Sequence, residues 1–306
     1  MKIIRWIAGI TVAAIAALAI WLYAPDKPRA ALEVAYPGEY RTVDGTRLRL
    51  RDTGPRDGSA VILLHGFGAS LETWEGWARP LSARYRVIRF DLPGFGLTGA
   101  DPTGDYSDAR AVRLIAGLMD QLGVARASVI GNSLGGRIAW TFATQQPGRV
   151  ERLVLVSPDG FASPGFEYGK APDVPLMMKA LPYTAPRVML KANLAAAYAK
   201  PERLSEATVD RYRDLMLAPG VRAAILTRMG QTVLRDPVPV LAGIKAPTLL
   251  LWGEKDAMIP ISNANDYLRA MSDAELVRLP GLGHVPFEED AAGSLGAVER
   301  FLSPQP

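Results

Sequence analysis

A serine flanked by glycines two positions to either side, placed where a strand-like run gives way to a helix-like one, leaves few folds open to this chain. Gly131-Asn132-Ser133-Leu134-Gly135 follows Ser128-Val129-Ile130 and leads into Arg137-Ile138-Ala139-Trp140-Thr141-Phe142. A sharp turn between strand and helix holds its central residue in strained backbone and pushes the side chain out above the sheet. The flanking glycines remove Cβ atoms that would collide there, and Gly136 lets the helix pack close to its strand. Ser133 is thereby marked as a nucleophile, against the blander reading of a serine that only caps a helix.

The 306 residues contain two histidines, so the search for a base is short. His284, in Leu282-Gly283-His284-Val285-Pro286-Phe287, follows the strand-like Glu275 to Leu279. His65, in His65-Gly66-Phe67-Gly68, follows the apolar run Val61 to Leu64. Between Ser133 and His284 comes Trp252-Gly253-Glu254-Lys255-Asp256, closing another apolar run. A hydroxyl nucleophile needs a base to take its proton and a carboxylate to fix the base's tautomer, and Ser133, His284 and Asp256 can supply these roles. Asp159, in Val156-Ser157-Pro158-Asp159-Gly160, is the rival acid. Glu254 lies nearer its strand end, Asp91 suits a turn, and Asn132 is open between capping the turn and touching substrate.

Strand signals fall at Tyr40 to Val43, Arg47 to Arg51, Ala60 to Leu64, Arg86 to Phe90, Ala127 to Ile130, Arg152 to Val156, Pro247 to Leu251 and Glu275 to Leu279. Asp44-Gly45 between the first two is a tight-hairpin signal, so the sheet opens with an antiparallel pair. Later strands alternate with amphipathic stretches such as Ala109 to Leu122, which predicts an α/β fold: a mostly parallel eight-stranded sheet covered by helices on both faces. From 161 to 236 the alternation stops. Helical patterns broken by prolines replace it, and the stretch carries Met177, Met178, Met189, Met216 and Met229, five of the nine methionines. It is expected to be a helical cap inserted into a core formed by 26–160 and 237–306, with methionines that either pack the cap or line an apolar pocket.

From about Gly38 to Leu302 the chain resembles the α/β-hydrolase family. His65-Gly66-Phe67-Gly68 is similar to the family's oxyanion loop, Asp91-Leu92-Pro93-Gly94-Phe95-Gly96 to its turn after the fourth strand, and Gly131 to Gly136 to its nucleophile elbow. The resemblance implies that the backbone N–H groups of Phe67 and Leu134 face the developing oxyanion, and that His65 and Gly66 shape that loop. It further suggests the serine esterase and lipase branch similar to membrane-anchored monoacylglycerol lipases. The expected activity is carboxylic-ester hydrolysis through an acyl-enzyme, on a small-molecule or lipid ester and without a cofactor. The alternatives are C–C bond hydrolysis of a ring-cleavage product, haloperoxidase-like perhydrolysis and, outside enzymes, a membrane-tethered binding module. Epoxide hydrolysis and dehalogenation fit poorly, since relatives with those activities place an aspartate where Ser133 stands.

Between Arg5 and Asp26 lie 20 uncharged residues, Trp6 to Pro25, long enough to span a bilayer as one helix. The run ends in Ile20-Trp21-Leu22-Tyr23, too long and bulky for a cleaved signal peptide, so residues 1–25 are expected to be an uncleaved membrane anchor. Lys2 and Arg5 before it place the N-terminus in the cytoplasm and the catalytic domain on the extracytoplasmic, periplasmic side. Ala24 to Ala30, with Pro25 and Pro28, reads as a short linker. The absence of cysteine excludes disulfides and thiolate chemistry, and two histidines argue against a histidine-rich metal centre, so no metal is expected. A net charge of +4 is spread without a basic run, so no nucleic-acid partner is expected. Oligomeric state is left open.

Overall fold

Asp44 and Gly45 both adopt positive φ, 47° and 80°, the backbone that a two-residue hairpin demands at its corner. They join β1 (Glu39–Val43) to β2 (Thr46–Thr53) as an antiparallel pair. The other strands are β3 (Ala60–Leu64), β4 (Arg86–Phe90), β5 (Ala127–Asn132), β6 (Val150–Val156), β7 (Thr248–Gly253) and β8 (Ala274–Leu279). They form one sheet in the order β1-β2-β4-β3-β5-β6-β7-β8. β2 meets β4 antiparallel, and every pairing from β4 to β8 is parallel. The computed structural model describes residues 2–162 and 167–303. Residues 163–166 of the expected cap lie outside it, as do the side chains of Lys2, Arg5 and Trp21 on which the topology expectation leaned.

The helices are α1 (Lys2–Leu22), α2 (Arg29–Ala35), α3 (Glu75–Leu81), α4 (Asp108–Gln121), α5 (Leu134–Gln145), α6 (Arg187–Ala195), α7 (Glu206–Met216), α8 (Val221–Gln231), α9 (Val238–Leu241), α10 (Asn263–Ala270), α11 (Pro286–Glu289) and α12 (Ala291–Leu302). β3 shows why both sheet faces must be covered, because all five of its residues are buried. Ile62 and Leu64 pack with α4 and α5 through Leu114, Leu118, Ile138 and Phe142. Val61 and Leu63 point the other way, toward Trp77 of α3, Phe287 of α11 and Val298 of α12. Between β6 and β7 the described residues form helices and short 3-10 turns, and no strand of the sheet comes from this stretch.

The N-terminus departs from expectation in two respects. α1 occupies the expected anchor over 21 residues, and its Trp6, Ile7, Ile10, Val12 and Ile20 are exposed. Among the described residues no helix is long and apolar enough to cross a membrane. The expected linker is also no free tether. Ala24 is buried against Ala185 and Leu217. Its amide donates to Tyr183 O at 2.9 Å and that of Lys27 to Leu217 O at 2.8 Å, while Asp26 pairs with Arg222 at 2.7 Å and Lys27 with Asp214 at 2.6 Å. Charges that looked like solvated linker residues find partners on α7 and α8.

Candidate active site

Ser133 sits between β5 and α5 at φ 52°, ψ −120°, a conformation that a non-glycine residue holds only when its surroundings enforce it. The surroundings are close. A Cβ on Gly131 would lie 2.2 Å from Gly135 O, one on Gly135 2.2 Å from Leu64 O, and one on Gly136 2.7 Å from Pro158 Cβ. The glycine spacing thus lets α5 start against the ends of β3 and β6. Leu134 is the first residue of α5, so its amide has no intrahelical acceptor.

His284 follows β8 and Asp256 follows β7, and the sheet order brings them together: His284 Nδ1 lies 2.8 Å from Asp256 Oδ2. Both residues are buried. An ionised carboxylate can only accept, so Nδ1 is the donor, and in the neutral ring Nε2 is then the acceptor. Asp256 Oδ1 accepts from the amides of Met258 at 2.8 Å and Ile259 at 2.9 Å, which fixes the orientation of the carboxylate.

His65 is elsewhere engaged. Its Nδ1 is 2.8 Å from Gly66 O, and its Nε2 accepts from the Leu92 amide at 2.9 Å. Burial, the largest influence, pushes its pKa down to about 4, so the ring is neutral at neutral pH and ties the loop after β3 to the loop after β4. Phe95 packs edge-on to both His65, at 5.7 Å, and Phe67, at 5.3 Å. Gly66 passes so near the elbow that a Cβ there would lie 2.9 Å from Asn132 Oδ1. Asp91 organises the turn after β4, accepting from the Leu71 amide at 2.7 Å and the Leu97 amide at 2.8 Å and pairing with Arg49 at 3.0 Å.

The rival acid is committed to a different neighbour. Asp159 Oδ2 lies 3.1 Å from Arg137 Nη1, and burial, opposed by the Arg137 charge, raises its pKa. Phe67, Ser133, Leu134, Arg137, Asp159 and Met229 meet around one cavity of about 400 Å³. Met229 is the cap methionine that the lining includes; Met177 and Met189 face solvent and Met216 packs on the core, so the group of methionines does not line the pocket. No cluster of metal-ligating side chains occurs among the described residues.

Two positioning residues escape sequence reasoning. Asn132, which the sequence left between two roles, is 2 % exposed and spends its Nδ2 on Val156 O at 3.0 Å and His284 O at 3.1 Å, strapping the elbow to the histidine loop. Glu289 accepts from the amides of Gly283 at 2.8 Å, Ala199 at 3.1 Å and Lys200 at 2.9 Å, while the His284 amide donates to Ala197 O at 2.7 Å. Nothing in the acidic run Glu288-Glu289-Asp290 signals that one of its members is buried.

A profile described as alpha/beta hydrolase fold matches residues 59–291. A 2-hydroxy-6-oxo-6-phenylhexa-2,4-dienoate hydrolase from Burkholderia cepacia is 30% identical over 246 residues, covering 78% of this chain and 85% of its own. Among solved structures, a membrane phospholipase A described as a bacterial virulence factor is similar with a TM-score of 0.74 at 25% identity, over 99% of this chain and 98% of its own. The enol-lactonase from Burkholderia xenovorans also gives a TM-score of 0.74 at 25% identity, over 87% of this chain and 100% of its own.

Proposed function

Because the chain belongs to the α/β-hydrolase fold family, we propose that it is a serine hydrolase of carboxylic esters, with Ser133 as nucleophile, His284 as base and Asp256 as its carboxylate. The observation that carries this reading is the 2.8 Å contact of His284 with Asp256, on the sheet edge that also presents Ser133 to an apolar cavity. Ser133 Oγ attacks the acyl carbonyl as Nε2 takes its proton. The amides of Phe67 and Leu134 hold the oxyanion, each worth about 3 kcal/mol of transition-state stabilisation. His284 then protonates the leaving alcohol, and water repeats the cycle on the acyl-enzyme.

Esters of apolar acyl groups suit the cavity, and the similarity to a phospholipase and to a lactonase, an enzyme of internal esters, favours ester bonds. The relative from Burkholderia cepacia favours a second reading, C–C hydrolysis of a ring-cleavage product, which the same three residues could serve. We further propose that the 161–236 stretch acts as a cap over the cavity and that α1 tethers the enzyme to a membrane with the catalytic domain outside the cytoplasm. The support is the uncharged run of 20 residues in the sequence, the exposed apolar side chains of α1, and the exposed Tyr183, whose carbonyl accepts from the Ala24 amide just past α1.

The decisive assay compares p-nitrophenyl esters of increasing acyl length with 2-hydroxy-6-oxo-6-phenylhexa-2,4-dienoate as substrates. Ester turnover should dominate, and Ser133→Ala and His284→Ala should each remove roughly 10⁴-fold or more of it. Turnover of the dienoate alone would give the second reading the site. Asp256→Asn should be crippled and Asp159→Asn should not; the reverse would move the acid.

A further inference from the structure

Arg228, on α8, is 2 % exposed, and the chemistry above gives it no part. Its one hydrogen bond among the described residues runs from Nη1 to Pro93 O at 3.4 Å, and its Nε and Nη2 find no acceptor. The carboxylates of this region, Asp108 and Asp159, pair with Arg137. Burial, with the charge of Arg137 adding to it, lowers the Arg228 pKa to about 10, which still leaves the guanidinium charged at neutral pH. What it has in place of a carboxylate is a ring: its guanidinium carbon lies over Phe95, 5.5 Å from the centroid, within the range in which a cation is drawn to an aromatic face. A buried cation held by one carbonyl and one ring is a costly way to fill space, and an apolar side chain would fill it without that cost. Its contribution is geometry, because a guanidinium fixed between the Pro93 carbonyl and the Phe95 face fixes that turn and that ring.

Phe95 stands between Arg228 and the oxyanion loop. Its ring, 1 % exposed, meets Phe67 edge-on at 5.3 Å and His65 at 5.7 Å. Phe67 is 47 % exposed and is followed by Gly68 at φ 70°, where an added Cβ would meet nothing within 4 Å. The loop is therefore open on one side and leans on Phe95 on the other. α8 is a fixed support for the far end of this chain of contacts. Arg222 near its start pairs with Asp26, and Gln231 at its end accepts from the Tyr106 amide at 2.9 Å and donates to Gly104 O at 2.8 Å. Between them, a Cβ on Gly94 would lie 3.7 Å from Ala224 Cβ, so helix and turn are in contact. We propose that Arg228 is a positioning residue for the oxyanion hole: from α8 it fixes the ring of Phe95, and Phe95 fixes Phe67, whose amide faces the developing oxyanion. Arg228 does not line the Ser133 cavity, so it acts through Phe95 and not on the substrate. The inference rests on the ester-hydrolase reading. A donor aimed at a developing charge loses much of its effect on a small displacement, so a brace two side chains away is felt in the transition state more than in substrate binding.

The test uses the full-length protein in detergent, p-nitrophenyl hexanoate as substrate and two inhibitors of the same chain length. In 1,1,1-trifluoroheptan-2-one the carbonyl carbon takes Ser133 Oγ and the carbonyl oxygen becomes the oxyanion; heptan-2-one fills the cavity without forming that adduct. Arg228→Met should lower kcat roughly tenfold with KM little changed, and should weaken the trifluoroketone by a similar factor while leaving heptan-2-one unaffected. Arg228→Lys, which keeps a cation for the ring, should recover most of the loss. Phe95→Leu should give the same pattern as Arg228→Met, and the double variant should be no worse than the poorer single one, since the two side chains act in series. A folded Arg228→Met with wild-type kcat and wild-type trifluoroketone affinity overturns the proposal. So does a rise in KM and in the heptan-2-one constant at unchanged kcat, which would make Arg228 a support of the cavity wall, and so does a double variant whose losses add. If Arg228→Met does not fold, Phe95→Leu decides: intact trifluoroketone affinity there breaks the chain. A wild type that neither hydrolyses the ester nor binds the trifluoroketone would instead sink the ester-hydrolase reading, and the oxyanion hole with it.

Discussion

His65 and His284 are the same residue type at comparable burial, and their hydrogen bonds alone divide their uses. His65 spends both ring nitrogens on the backbone of Gly66 and Leu92, so protonating it would break the bond it accepts. With its pKa lowered from 6.5 to about 4, the unfolded chain binds this proton first. Between those values the unfolded state carries more protons than the folded one, so stability is complete above pH 6.5 and falls as the pH is lowered toward 4, by about 1.4 kcal/mol per unit at the steepest. Urea midpoints at pH 7.5 and 4.5 should therefore separate more in the wild type than in His65→Gln. Parallel shifts in the two proteins would remove His65 as the cause. The sequence revealed that one histidine belonged to a loop, because the flanking motif is local. The partner of Asn132 was not legible, since His284 O lies 152 positions away and a side-chain amide carries no mark of its acceptor.

At the scale of elements, the strands were legible almost to the residue: β3 and β4 run as expected, and the ends of the others differ by one or two residues. β3 and β7 are short, mostly apolar runs buried along their whole length, and a strand buried on both faces writes that pattern itself, whereas β2 alternates charged with apolar residues. What the sequence concealed is how the histidine loop is held. The Glu289 carboxylate gathers three amides, two from the 197–200 segment of the capping stretch and one from Gly283 beside His284. A Cβ on Gly283 would lie 2.6 Å from Ala197 O and from Ala199 N, so the histidine loop and the 197–200 segment meet backbone to backbone. Glu289→Gln replaces an acceptor oxygen with a donor against these amides. It should cost about 1–3 kcal/mol of stability and, through displacement of His284, lower kcat roughly 10- to 100-fold with little change in KM. An intact kcat in a destabilised protein would reduce Glu289 to a structural brace.

At the scale of the whole molecule, the segment after α1 is docked on the 161–236 stretch. The sequence read the residues after the anchor as a tether because prolines and mixed charges usually mean solvent. Their partners, Asp214 on α7 and Arg222 on α8, are nearly 200 positions away and could not be read from composition. Ala24 and Lys27 add two backbone bonds to the same region. If α1 is the membrane tether, this docking fixes how the cap and the cavity beneath it face the lipid. Two consequences can be measured. Carbonate-washed membranes should keep the full-length chain in the pellet, and its release would count against the tether. A chain beginning at residue 24 retains the Asp26 and Lys27 contacts, whereas one beginning at residue 30 loses them and leaves Arg222, 3 % exposed, without its carboxylate. The shorter chain should melt several degrees lower, since about 1 kcal/mol shifts the midpoint of a domain this size by roughly 2–4 °C. It should also lose selectivity among acyl lengths as the cap loosens. Equal melting temperatures and equal acyl profiles would mean that the docked segment is incidental to the cap and that the N-terminus acts as an anchor alone.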